Sequence, residues 1–238
     1  MRNYKFSYIQ WVICLALAFM LAACGSSDNA SSFLDLEVCN PESGTFSLNI
    51  THPYVLYLVG NQWILEGEDE GVLLRLQITV LDETETVAGV TTRIVEEREW
   101  EDGELIEVSR NFFTQSSDGN VCYFGEDVDD YEAGEIVSHE GAWRAGVDGN
   151  LPGIFLPANP EVGMRFKQED APGIAEDEAE IIEIGESFTV EAGSFNSTLV
   201  IEEFNPIDND ESEKRFASGV GLIVDEDLEL TEFTLSSQ

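Results

Sequence analysis

The chain has 238 residues, of which 48 are acidic and 11 are basic, so its formal net charge is −37 at pH 7. Hydrophobic residues make up 43% and aromatic residues 10%. This content excludes a disordered acidic tail, because such tails lack the apolar side chains that build a core. Nucleic-acid binding is excluded as well, since contact with phosphates requires a patch of Lys and Arg side chains.

The N-terminus carries the pattern of an export signal. Arg2 and Lys5 precede an apolar run over residues 11–22, which is shorter than the roughly 20 residues that span a bilayer and fits a signal-peptide core. The run ends in Leu-Ala-Ala followed by Cys24, which resembles the bacterial lipobox. That resemblance implies cleavage before Cys24 and acylation of its sulfur and amino group. An ordinary secretory signal with an incidental cysteine is the alternative.

The predicted organisation therefore has three parts: a lipoprotein signal peptide over 1–23, a lipidated N-terminus and flexible tether over 24–38, and a β-rich exported domain over 39–238. Residues 25–32 are small and polar, as a tether requires. Acyl chains on Cys24 would make the lipid bilayer a partner of the protein. Gly25 stands where an Asp would resemble an inner-membrane retention signal, which favours the outer membrane in a cell with two membranes.

Two cysteines remain after Cys14 leaves with the signal and Cys24 takes lipid. Cys39 and Cys122 form an even pair in an exported chain, so a disulfide between them is one of two interpretations that the sequence leaves open. Two separate thiols remain the alternative, because a single pair has no spacing pattern that forces bonding.

Almost every segment of the remaining chain has the character of a β-strand. Residues 72–81 alternate apolar and polar side chains with a period of two. Asp102-Gly103 and the segment 117–120 separate further strand runs, which predicts two hairpins. Residues 173–183 are the best helical candidate, as a helical turn that leads into a strand. The predicted fold class is all-β with minor α, an antiparallel meander that forms a curved sheet or an open barrel.

Several segments resemble a family of uncharacterised bacterial lipoproteins and exported proteins. The most specific are Tyr-Phe-Gly-Glu-Asp-Val-Asp-Asp-Tyr at 123–131 and Ser-His-Glu-Gly-Ala-Trp-Arg-Ala-Gly at 138–146. Pro-Ala-Asn-Pro at 157–160 and Gly-Val-Gly-Leu at 219–222 also match. The likeness covers roughly residues 50–235 and implies an exported, β-sheet-rich domain, but no activity that can be transferred.

An acidic cluster follows the aromatic residues at 123–124. Five carboxylates in seven residues could supply oxygen ligands to Ca²⁺; these candidate metal ligands are Glu126, Asp127, Asp129, Asp130 and Glu132. The spacing differs from that of an EF-hand loop. A solvated acidic surface, or adaptation of the whole chain to high salt, explains the cluster without any metal.

Three neighbouring residues, His139, Glu140 and Trp143, are candidate ligand-binding residues. A zinc site could recruit His139 with Glu140, Asp129 or Asp130, but no second histidine is at a suitable spacing. The simpler interpretation is a histidine hydrogen-bonded to a carboxylate at a strand end. Aromatic side chains could also line a concave sheet that holds a small apolar ligand, or could fill the core; these are Trp63, Trp100, Trp143, Phe112, Phe113, Tyr123, Phe124 and Phe155.

Catalytic motifs do not stand out. The sequence has no Gly-x-Ser-x-Gly elbow and no Gly-rich loop that precedes a Lys, so we expect no enzymatic activity. The sequence favours a membrane-anchored envelope lipoprotein with a non-enzymatic role in binding a small apolar ligand or an envelope protein. A calcium-dependent structural or binding module is the first alternative, and an uncharacterised hydrolase is the second.

Overall fold

The structure is a computed structural model that describes residues 33–42 and 44–236. The predicted signal peptide, Cys24 and the first part of the predicted tether lie outside the described residues. Within the described ranges, no helix is long and apolar enough to cross a membrane.

The described part of the chain contains one 3-10 helix, Leu36–Cys39, and nineteen strands. In chain order the strands are β1 (Phe46–Ser47), β2 (Ile50–His52), β3 (Val55–Tyr57), β4 (Gln62–Asp69), β5 (Val72–Val87), β6 (Val90–Glu101), β7 (Glu104–Ser116), β8 (Val121–Glu132), β9 (Glu135–Ser138), β10 (Trp143–Arg144), β11 (Gly153–Leu156), β12 (Arg165–Lys167), β13 (Glu178–Ile184), β14 (Phe188–Val190), β15 (Gly193–Phe195), β16 (Thr198–Asn205), β17 (Asp210–Ala217), β18 (Gly221–Asp225) and β19 (Leu228–Thr234).

Fifteen strands form one antiparallel sheet, whose main path runs β10-β8-β7-β6-β5-β4-β19-β18-β17-β16-β13-β12. Strand β19 pairs with β4 and so joins the first part of the meander to the last. The sheet is not closed. The prediction of an all-β, antiparallel meander that forms a curved sheet or open barrel is confirmed. Two hairpins, β2-β3 and β14-β15, lie apart from this sheet.

In the long strands, the buried side chains are the apolar residues that the sequence alternation places on one face. In β5, Leu76, Ile78 and Val80 are each exposed by 2% or less, because every second side chain of a strand points to the same face. The turn between β6 and β7 has positive φ at both Asp102 (47°) and Gly103 (82°), as a type I′ hairpin turn requires. The predicted hairpins at these residues and at 117–120 are both present.

The helical candidate at 173–183 is a single turn that leads into a strand, as the sequence indicated, and not a helix. Residues 172–174 form a turn, and strand β13 begins at Glu178. Ala179 and Ile181 are buried to 2% and 0% exposure, which is a period of two. Pairing of β13 with both β12 and β16 therefore overrides the helix-forming tendency of Glu and Ala in this segment.

A disulfide joins Cys39, at the end of the 3-10 helix, to Cys122 in β8. Of the two alternatives that the sequence left open for this pair, the structure has the disulfide. Leu34 and Leu36 pack against the core, and Phe33 forms a bridge with Arg165. Residues 33–38, the end of the predicted tether, are thus in contact with the folded body.

Candidate functional site

Two parts of the open sheet contribute to a cavity of about 180 Å³, whose lining contains eight carboxyl groups. Strands β6, β7 and β8 supply Glu97, Glu99, Glu107 and Glu126. Strands β16 and β18 and the segment between β12 and β13 supply Glu203, Asp225, Glu169 and Asp177. Among the described lining residues Lys214 is the one basic side chain, so the fully ionised lining has a formal charge of 1 − 8 = −7.

The register of β6, β7 and β8 builds the first acidic wall. Glu97 pairs with Ser109, and Glu99 pairs with Glu107. Glu126 of β8 pairs with Asn111 of β7, which lies two positions beyond Ser109. Paired residues project to the same face of a sheet, as do alternate residues within a strand. The four carboxyl groups therefore converge on one side of three adjacent strands.

The second acidic wall consists of Glu203, Asp225, Glu169 and Asp177, and Lys214 lies among them. Lys214 of β17 pairs with Asp225 of β18 in the register of the sheet, and the Nζ atom of Lys214 lies 3.8 Å from Asp225 Oδ1. The same Nζ lies 2.8 Å from Oε2 of Glu203 on β16, whose side chain is only 9% exposed. Lys214 therefore compensates two carboxylates of the same wall and leaves the charge of the first wall largely unpaired.

The segment between β12 and β13 adds polar groups whose hydrogen bonds are incomplete. Trp143 Nε1 donates to Glu169 Oε1 at 3.4 Å, and Gln168 Nε2 donates to the carbonyl of Phe155 at 3.4 Å. Oδ1 of Asp177 is buried without a hydrogen-bond partner. This oxygen is an acceptor that lacks a donor.

Aromatic rings form an apolar side of the same cavity. Phe113 stacks on Tyr123 with ring centroids 4.6 Å apart, and it contacts Tyr57 at 5.2 Å and Phe155 at 5.0 Å. The Tyr123 hydroxyl donates to Asn111 Oδ1, so its polar atom is already satisfied. The cavity thus combines acidic walls with an aromatic surface.

Burial raises the pKa values of the acidic side chains of the first wall. It raises the pKa of Glu97 to about 8, although the charge of Lys214 opposes the shift. Burial, with a contribution from the charge of Glu107, raises the pKa of Glu99 to about 7. Burial and then the charge of Glu169 raise the pKa of Glu126 well above its usual range. Each shift reflects the cost of removing a carboxylate from water among like charges.

Burial also raises the pKa values of acidic side chains in the second wall, and the charge of Lys214 opposes these shifts. Burial and then the charge of Asp177 raise the pKa of Glu169 to about 8. Burial raises the pKa of Asp225 to about 6, against the opposing effect of Lys214. For Lys214 itself burial lowers the pKa, but Asp225 and Glu203 outweigh burial and hold its pKa well above the ordinary value. Lys214 is therefore charged at neutral pH.

A second cavity of about 380 Å³ adjoins the first. Glu97, Glu99, Lys214 and Asp225 line both, so the two form one elongated cleft. The second cavity continues past Trp100 toward the turns at that end of the sheet and carries further acidic residues there, Asp69, Glu101, Glu226 and Asp227.

The predicted metal ligands do not converge. The segment is part of strand β8, whose alternate side chains point to opposite faces. Glu126 lines the cavity, whereas Asp127 pairs with Arg144 at 3.0 Å and Asp129 lies 2.8 Å from His139 Nδ1. Asp130 and Glu132 lie opposite β9. Throughout 33–42 and 44–236, no group of three His, Cys, Asp or Glu side chains is arranged to hold a metal ion.

Of the three predicted ligand-binding residues, one lies beside the cavity. Trp143 is buried and reaches the cavity wall through its hydrogen bond to Glu169. The His139 side chain is 67% exposed and held by Asp129. Glu140 is exposed on the adjoining turn, where its N–H donates to Ser138 Oγ.

The aromatic residues singled out in the sequence divide between two roles. Phe113, Tyr123 and Phe155 line the first cavity, and Trp100 lines the second. The others are buried and belong to the core or its edge: Trp63, Phe112, Phe124 and Trp143, of which Trp143 also contacts the cavity wall through Glu169.

Most of the cavity's acidic side chains were not identified from the sequence. Glu97 and Glu99 continue the inward row that begins at Val95, which is fully buried. Acidic residues at the inward positions of an otherwise apolar row are the signal that could have found them. Lys214, one of three lysines in the chain, could have been noted for its rarity, but its acidic partners come from strands that only the fold brings together.

No protein-family model matches the sequence, and no curated protein matches it significantly. A crystal structure from Bacteroides fragilis, described as a "putative exported protein with YmcC-like fold", matches with a TM-score of 0.38 and 16% sequence identity. The match covers 75% of this chain and 97% of that chain.

Proposed function

We propose that the chain is a lipid-anchored protein of the bacterial envelope that binds a ligand in the acidic cavity, without catalysis. The anchor rests on the N-terminal sequence, where an apolar run of signal-peptide length ends at Cys24. The disulfide between Cys39 and Cys122 supports export, because such bonds persist in oxidising compartments.

The single observation that supports binding is the cavity itself. Eight carboxyl groups and one lysine lie around an aromatic surface. Removal of these carboxylates from water lowers the stability of the fold. Ionisable groups with perturbed pKa values cluster at functional sites, and here such groups line a cavity. The polar walls favour a charged or strongly polar ligand over the small apolar ligand considered from the sequence.

The groups in the cavity support binding over acyl hydrolysis. Ser109 Oγ accepts a hydrogen bond from Asn111 Nδ2 at 3.1 Å. Neither His nor Cys lines the cavity in the described part of the chain. A serine without an adjacent base is a poor nucleophile.

Thermal unfolding of the full chain in detergent tests this function against a panel of cationic, zwitterionic, anionic and neutral small molecules. We expect saturable stabilisation by at least one class, reduced in Glu97→Gln and unchanged in Glu232→Gln, which removes an exposed charge outside the cavity. Equal stabilisation of both variants by every active compound would contradict the proposed site. Turnover of a chromogenic glycoside or ester that Glu97→Gln abolishes would contradict a role without catalysis.

A further inference from the structure

The chemistry of the cleft narrows the class of ligand, and this step rests on the proposed function. The first cavity carries eight carboxyl groups against one lysine, and that lysine is already engaged by Glu203 at 2.8 Å. The second cavity adds four acidic residues and Arg75, which is paired with Glu66. A ligand that brings positive charge would compensate the first wall, whereas an anion would add to the repulsion.

The hydrogen bonds of the lining residues also favour a ligand that donates N–H groups. Oδ1 of Asp177 is buried without a hydrogen-bond partner among the described residues. Two neutral donors of the lining are already used: Asn111 Nδ2 donates to Ser109 Oγ, and the Tyr123 hydroxyl donates to Asn111. A buried acceptor without a donor is costly, so a ligand that donates a hydrogen bond to Asp177 would complete the site.

The distribution of charge along the cleft favours an organic cation over a metal ion. Within the described ranges no three acidic or histidine side chains are arranged to hold a metal. The charges are instead distributed along two adjoining cavities of about 180 and 380 Å³. Phe113, Tyr123 and Phe155 offer an apolar surface beside them, which suits methylene groups, and aromatic faces also attract ammonium groups.

We propose that the cleft binds a linear aliphatic polyamine, with its ammonium groups against the carboxylates of Glu97, Glu126 and Asp177 and its methylene chain on the aromatic surface. Such a molecule supplies several N–H donors per charge and spaces its charges along its length. It therefore matches a long acidic cleft better than a single compact ion does.

Calorimetric titration of the full chain in detergent at pH 8 tests the proposal, with spermidine as the probe. CaCl₂ and tetralysine at matched ionic strength serve as competing probes. The variants are Glu97→Gln and Asp177→Asn, and Glu232→Gln is the control. Each cavity variant keeps its shape and removes a buried negative charge, so we expect all three proteins to fold.

Saturable binding of spermidine that each cavity variant weakens about tenfold or more, with the control unchanged, is the expected result. If CaCl₂ or tetralysine binds in a manner that depends on Glu97 and spermidine does not, the polyamine is wrong while the cavity remains the binding site. If the small-molecule panel and these probes all fail to distinguish Glu97→Gln from the control, both the polyamine and the proposed function are overturned.

Discussion

The Nζ atom of Lys214 lies 2.8 Å from Oε2 of Glu203 and 3.8 Å from Oδ1 of Asp225. These three residues come from β17, β16 and β18, so one cation is shared by neighbouring strands. Replacement of Lys214 by Met would leave two carboxylates buried without a counter-charge. We expect a loss of about 2–4 kcal/mol in the free energy of unfolding at pH 8, measured by urea denaturation.

The partner variant gives the control for this prediction. The double variant Lys214→Met/Glu203→Gln removes the cation and one of its carboxylates, so we expect it to recover part of the lost stability. Equal stability of Lys214→Met and the wild type would show that the ion pair does not compensate the wall.

The stability of the domain should fall as the pH rises from about 4.5 to about 8. Folding raises the pKa values of Glu97 and Glu169 to about 8 and that of Glu99 to about 7. An acid whose pKa is raised by folding stabilises the fold fully below its unfolded pKa, and this contribution disappears as the pH rises through the folded pKa. Urea denaturation at pH 5, 7 and 9 measures the slope.

Glu97→Gln should flatten this dependence. Glu97 faces Lys214, Asp225, Glu99 and Glu107, so its replacement by a neutral amide also relieves repulsion within both walls. We expect a gain on the order of 1–3 kcal/mol at pH 9 and little change at pH 5. A wild-type protein that is more stable at pH 9 than at pH 5 would show that these carboxyl groups are not held protonated by the fold.

The sequence was sufficient for the architecture but not for the site. Strand positions followed from period-two alternation, as in Leu76 and Ile78, and hairpins followed from turn residues such as Asp102-Gly103, because both are local signals. The cavity depends on Glu97 and Lys214 meeting across 117 positions of sequence, which no local pattern encodes. The metal prediction at 126–132 was based on proximity in sequence, and the pleat of β8 directs those carboxylates to opposite faces.

The disulfide is expected to contribute substantially to stability. Cys39 and Cys122 are 83 positions apart, and both are fully buried. The double variant Cys39→Ala/Cys122→Ala should lower the free energy of unfolding by about 2–5 kcal/mol. Reduction of the wild type with dithiothreitol should lower its stability similarly and should leave the double variant unaffected. Insensitivity of the wild type to the reductant under denaturing conditions would contradict the bond.

Membrane attachment is expected to depend on one sulfur. Cys24→Ser leaves the apolar run intact but cannot form the thioether that holds a diacylglyceryl group. We expect the wild-type chain in the membrane fraction, with an intact mass that shows loss of residues 1–23 and gain of acyl groups. Cys24→Ser should lack these acyl groups. An identical mass increment in both proteins would place the modification elsewhere or exclude it.

The most direct test of the acidic cavity as the binding site is the number of protons that spermidine releases on binding. Glu97 and Glu169, with pKa values of about 8, are largely protonated at pH 7, and a bound cation favours their ionised forms. Calorimetry in phosphate and in Tris at pH 7 should show release of about one to two protons. The release should be smaller in Glu97→Gln. Binding that releases no protons at pH 7, with the same affinity in Glu97→Gln, would contradict the account.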